Sequence, residues 1–68
     1  MIIDARQRKN IKPEQFVEIV QKNHQRTGEL TKGQIAKILT KSPNHPYGIK
    51  VQLKSGLIGR VKNIIIIE

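Results

Sequence analysis

Hydrophobic and polar positions alternate most strictly over residues 49–54, where Ile49, Val51 and Leu53 interleave with Lys50, Gln52 and Lys54. Successive side chains of an extended chain point to opposite faces, so this period of two predicts a half-buried β-strand. Just beyond, Leu57, Gly59 and Val61 interleave with Ile58, Arg60 and Lys62, which predicts a partner strand. The connection decides which faces match. A two-residue turn at Ser55-Gly56 would set Val51 opposite Arg60 and drive a charge against the core. A loop of Lys54, Ser55 and Gly56 avoids this, with Gly56 taking a positive φ at no steric cost. That register pairs Leu53 with Leu57, Val51 with Gly59 and Ile49 with Val61 inside. Outside, it pairs Lys50 with Arg60 and Gln52 with Ile58, and Lys62 follows Arg60 on the same side. Gly59 either lets the sheet bend sharply, the favoured reading, or lets a ligand backbone approach closely.

Upstream, QFVEIVQK is dense in β-branched and aromatic residues, with Val17 and Ile19 on one face, and reads as a strand with Phe16 in the core. NHQRTGELTKG is polar with two glycines and reads as a long loop. In QIAKILT the apolar Ile35 and Ile38 stand three apart, which breaks the alternation. A bulged strand is expected there rather than a helix, because KSPNHP follows at once. Pro43, Pro46 and Gly48 mark turns. The closing NIIIIE favours strand, buried on both faces or offering an edge for pairing. MIIDARQRKNIK shows no sustained period, so residues 1–12 read as a mobile basic arm unless Ile2 and Ile3 pair with the C-terminal strand. Residues 13–68 then form a single small all-β domain.

Charge changes the picture more than length does. Thirteen Lys and Arg against five Asp and Glu give +8 at pH 7, an excess that attracts polyanions. A chain of 68 residues without cysteine has a thin core and neither disulfides nor thiolate zinc sites to supplement it. Two histidines, His24 and His45, do not fill a four-coordinate metal site alone. The longest apolar run, Ile64 to Ile67, is far short of the roughly 20 residues of a spanning helix. The N-terminal residues also lack the apolar middle of a signal peptide. A cytoplasmic protein with no membrane partner, metal or cofactor is the expectation.

The opposition of Lys50 and Arg60 raises the functional question, since like charges directly across a sheet repel. An anion between them resolves it. Lys50, Arg60 and Lys62 form the expected phosphate grip, with Arg26 and Lys32 in the long loop and Arg8 and Lys9 in the arm extending it. Only two aromatics, Phe16 and Tyr47, are present. Tyr47 is the candidate stacking residue, with burial of its ring as the alternative. No catalytic constellation emerges. The acids are scattered, and His45, between Asn44 and Pro46, has neither a nucleophile nor an orienting carboxylate beside it in sequence. KGQIAK is not a phosphate-binding P-loop.

Three stretches, QRKNIKP, VEIVQKNHQRTGELTKG and ILTKSPNHPYGIKVQLKSGLIGRV, resemble the YwbE-like family of small uncharacterised bacterial and archaeal proteins over residues 7–64. The specific pieces are QRTG at 25–28, LT at 39–40, the Ser-Pro-x-His-Pro-x-Gly-Ile-Lys-Val pattern at 42–51 and Gly-x-x-Gly-Arg-Val at 56–61. The chain departs from that pattern at Glu14, where a glycine is expected after Pro13, and at Asn23-His24, where an acidic residue is usual. The resemblance implies no activity. VEIVQ followed by KGQIAKIL also looks like a KOW-type segment, which implies a five-stranded SH3-like barrel. A pattern shared with RNA-binding OB-fold barrels implies the alternative fold. By analogy both point to a non-enzymatic module for RNA or a ribonucleoprotein, with DNA as a further polyanion. A protein-interaction barrel, such as a homodimer pairing through the C-terminal strand, is the alternative function.

Overall fold

The computed structural model describes residues 4–66. Its described residues form a closed all-β barrel of four strands in sequential order. These are β1 (Phe16–Gln21), β2 (Thr31–Ile38), β3 (Lys50–Leu53) and β4 (Ile58–Ile64), and every pairing is antiparallel, including β1 with β4. Closure leaves β1 to β4 each paired on both sides, which removes the exposed edges that invite aggregation. Single 3₁₀ turns at Arg8–Asn10 and Lys22–His24 complete the regular structure. No helix among the described residues is long and apolar enough to cross a membrane.

The inward faces follow the alternation of the sequence. Val17, Ile19, Ile35, Ile49, Val51, Leu53 and Val61 are all essentially inaccessible and meet in one cluster. Each such aliphatic side chain contributes about 1.5–3 kcal/mol relative to an exposed one. The hairpin register is the expected one, with Lys50 opposite Arg60, Val51 opposite Gly59 and Gln52 opposite Ile58, but Leu57, expected inside, lies at the end of the loop and is exposed. The Leu53 amide donates to Leu57 O at 2.8 Å, and Gly56 closes the loop at φ +96°. The bulge in the second strand is also present. Ile35 pairs with Leu53 and Lys37 with Gln52, so Ala36 is the extra residue. It lets Ile35 and Ile38 both face inward despite their spacing.

Four further expectations need correction. The described residues hold four strands where five were expected, because Asn63 and Ile64 continue β4 instead of starting a new strand. Strand β2 begins at Thr31, so Lys32 lies in the sheet and not in the loop, paired with Glu18. Phe16 is 38% exposed: it precedes Val17 in alternation and therefore points outward. From Asp4 onward the expected mobile arm lies against the barrel. Ala5 and Ile11 are buried, Ile49 N donates to Ala5 O at 3.1 Å, and Arg8 N donates to Pro43 O at 2.8 Å. An isolated bridge joins Gln7 and Asn44. Two apolar plugs and a few backbone bonds anchor this segment, and neither has a periodic signature. Pairing by Ile2 and Ile3, and the end of the isoleucine run at Ile67, lie outside the described residues.

Gly59 has the structural role. A Cβ there would stand 2.6 Å from Val20 O and 2.9 Å from Ile19 Cδ1, so its missing side chain is where β1 packs against β4 and not a gap for a ligand.

Candidate nucleic-acid interface

Because Val51 and Val61 point inward, their neighbours Lys50, Arg60 and Lys62 point outward. Directly opposed residues of an antiparallel pair hold their Cβ atoms about 4.5–5.5 Å apart, so Lys50 and Arg60 place two cations side by side. Lys62 owes its aim to a second bulge. Ile19 pairs with Val61 and Glu18 with Asn63, which leaves Lys62 as the extra residue of β4. Bulges of this kind re-aim a side chain at a sheet surface.

Arg60 is half-buried, and its Nη1 donates to the carbonyl of Gly48 at 3.1 Å. That bond fixes the guanidinium along the sheet and leaves its other N–H groups for a ligand. Arg60 shares one cleft with Tyr47, Lys62, Gln25, Gly28 and Val20, and another with Lys50, Lys22, Gln25 and Ile58. Val20 forms the floor of both. Among the described residues, the ammonium groups of Lys22, Lys50 and Lys62 make no hydrogen bond or ion pair with the protein.

The acids lie elsewhere. Glu14 is paired with Lys54, Glu29 lies 3.4 Å from His24 Nε2, and Glu18 accepts from Asn63 at 3.2 Å. Asp4 binds Arg6 at 3.0 Å, and the hydrogen bonds from the Arg6 side chain and amide hold its carboxyl below the usual carboxylate range. The same pairing raises the Arg6 guanidinium. The two clefts around Arg60 therefore hold their cations without a carboxylate among the described residues, while Asp4, paired with Arg6, lines a further cleft with Lys62.

The other expected residues fall in four places. Tyr47 is 69% exposed, so its ring is on the surface and not in the core. Arg8 and Lys9 line another cleft with Arg6, Asn44 and His45, and Arg8 Nε donates to Thr40 O at 3.0 Å. Arg26 is exposed on the turn beside Gln25. Lys32 stands in an outer row with Glu18 and Asn63, across β1 from the Lys50–Arg60 pair. The sheet thus gathers Lys50, Arg60, Lys62 and Tyr47, and does not bring Lys32 to them.

Lys22 and Lys37 escaped the sequence reading. Lys22 opens the 3₁₀ turn after β1 and returns over Val20. Lys37 faces outward opposite Gln52. Its signal was the interrupted alternation of QIAKIL, since a bulge at Ala36 sends the next residue outward. Among the described residues no group of three or more His, Asp or Glu is placed to hold a metal ion.

Comparison with known proteins places these residues in context. Residues 4–64 match the family model described as Uncharacterized conserved protein (DUF2196). The chain is similar to the uncharacterized protein YwbE of Bacillus subtilis (strain 168), with 46% identity over 63 residues, covering 93% of this chain and 97% of that protein. No solved structure matches the chain significantly.

Proposed function

The chain belongs to the family of uncharacterized conserved proteins DUF2196, and from that premise and its basic face we propose that it is a non-enzymatic RNA-binding module that grips phosphates. The observation that carries this reading is the Lys50–Arg60 opposition, joined by Lys62 and Lys22 in two clefts that no carboxylate lines among the described residues. An isolated like-charge pair costs a few tenths of a kcal/mol or more. A phosphate lying between the two side chains turns that cost into attraction, and counterion release adds to it. Backbone contact dominates such binding, so sequence preference is weak and salt dependence strong. The site is intracellular in this reading, where RNA and ribonucleoproteins are the abundant polyanions.

The barrel is of the SH3-like kind in the same reading. Its strands follow one another in sequential order, whereas an OB-fold is a Greek-key barrel. The Gln7–Asn44 bridge supplies the rudiment of a fifth ladder.

Arg60 also holds Gly48, so the informative variant spares it. Lys50→Gln combined with Lys62→Gln should weaken binding to a labelled RNA at least tenfold in a filter-binding assay, with an unchanged circular dichroism spectrum. Unchanged affinity would reject the site. A second reading, self-association at the C-terminal end of β4, is supported by exposed Ile66 and Phe16, the latter accepting from Ile65 N at 2.9 Å. Salt-insensitive dimers in sedimentation, with no RNA bound, would favour it.

A further inference from the structure

The clefts described above are not separate. The one lined by Arg8, Lys9 and His45 shares Asp4, Arg6 and Pro46 with a second cleft, which contains Tyr47, Gly48 and Lys62. That second cleft shares Tyr47 and Lys62 with the third, and the third shares Val20, Gln25 and Arg60 with the one holding Lys50. One groove therefore runs from the N-terminal segment to the β3–β4 face. Cations line both ends, and the one acid along it among the described residues, Asp4, is already occupied by Arg6.

Tyr47 sits at the middle of this path and is the most exposed large hydrophobic side chain among the described residues. Its neighbour is oriented with it. The Tyr47 amide donates to His45 Nδ1 at 3.2 Å, and the two rings lie 5.9 Å apart at a tilt of 48°. Phosphate contact alone makes no use of an exposed ring pair. In a duplex the bases are stacked on each other and offer a ring nothing to cover, whereas unpaired bases stack on aromatic side chains irrespective of sequence.

We propose that this groove takes a single-stranded polynucleotide, with Tyr47, oriented beside His45, as the platform for an unpaired base. The inference rests on the reading that the basic face binds nucleic acid, and adds which form of it is bound.

The chain supplies its own probe, since Tyr47 is the single tyrosine and tryptophan is absent. Intrinsic fluorescence therefore reports on this ring alone. The experiment titrates the full chain with uridine-rich RNA of about a dozen nucleotides, the matching single-stranded DNA, and a blunt RNA duplex of equal strand length. Binding is followed by anisotropy of the labelled polymer and by tyrosine emission. The expected result is single-strand affinity at least about fivefold above duplex affinity, with tyrosine quenching that saturates alongside binding. Tyr47→Ala should weaken single-strand binding roughly tenfold and duplex binding far less, and Tyr47→Phe should restore single-strand binding. The RNA-to-DNA ratio identifies the natural polymer. Equal or tighter duplex binding with unquenched tyrosine overturns the single-strand proposal while keeping the phosphate grip. Failure of every polymer to bind overturns both.

Discussion

Two glycines in left-handed conformations show how differently a single residue can matter here. Gly56 has φ +96° and open space where a Cβ would go, while Gly48 has φ +104° and a Cβ position 2.4 Å from Val61 O. Gly56→Ala should cost about 1–2 kcal/mol, the price of the backbone conformation alone. Gly48→Ala adds a collision with the β4 backbone and displaces the carbonyl that anchors Arg60. It should lower Tm well beyond the fall of about 4–16 °C that this cost implies for Gly56→Ala in a domain this small. Thermal melts of the two variants check this, and equal shifts would contradict it. Glu14 teaches the converse. It occupies φ +74°, and Gln15 N donates to Lys12 O at 3.3 Å across the turn. The turn that a glycine would favour after Pro13 is thus kept with a glutamate in it, and the pairing of Glu14 with Lys54 helps hold it. The sequence showed the missing glycine, but not that the turn persists.

The β3–β4 hairpin was the most legible element, because turn chemistry, alternation and charge all agree on one register. Where those signals conflicted, reading was harder. The spacing of Ile35 and Ile38 announced a bulge, but the outward aim of Lys37 follows only once Ala36 is identified as the extra residue. Lys62 hid a bulge of its own, since β4 alternates smoothly as far as Val61 and its irregularity exists only relative to β1. No single strand encodes such a pairing. The hairpin's like-charge pair also makes a prediction opposite in sign for stability and binding. Lys50→Glu converts repulsion with Arg60 into attraction, worth about 0.2–1 kcal/mol. Tm should rise at low ionic strength, the gain should shrink as salt screens it, and RNA affinity should fall. Differential scanning fluorimetry across salt concentrations checks the first half. A Tm lowered at low salt would show that Lys50 and Arg60 do not repel in the free protein.

At the scale of the molecule, the barrel depends on one small cluster. Ile35 is fully inaccessible and packs in that cluster, so Ile35→Ala should cost about 2–5 kcal/mol. A single small core rarely supplies more than about 3–5 kcal/mol in total. Loss of a cooperative melting transition is the expected outcome, and a sharp transition near the wild-type Tm would mean that other contacts carry the fold. The N-terminal segment was the least legible part, because Ala5 and Ile11 join the core cluster as isolated apolar residues with no period around them. Its packing matters to function, since it brings Arg8 and Lys9 to one end of the groove. The central claim is that the +8 chain uses this groove to displace counterions from a phosphate backbone. The slope of log affinity against log salt for a single-stranded RNA tests it most directly. Four or more phosphate contacts predict a linear fall with a slope of about −3 or steeper, and a slope near zero, or no binding even at low salt, would contradict the account.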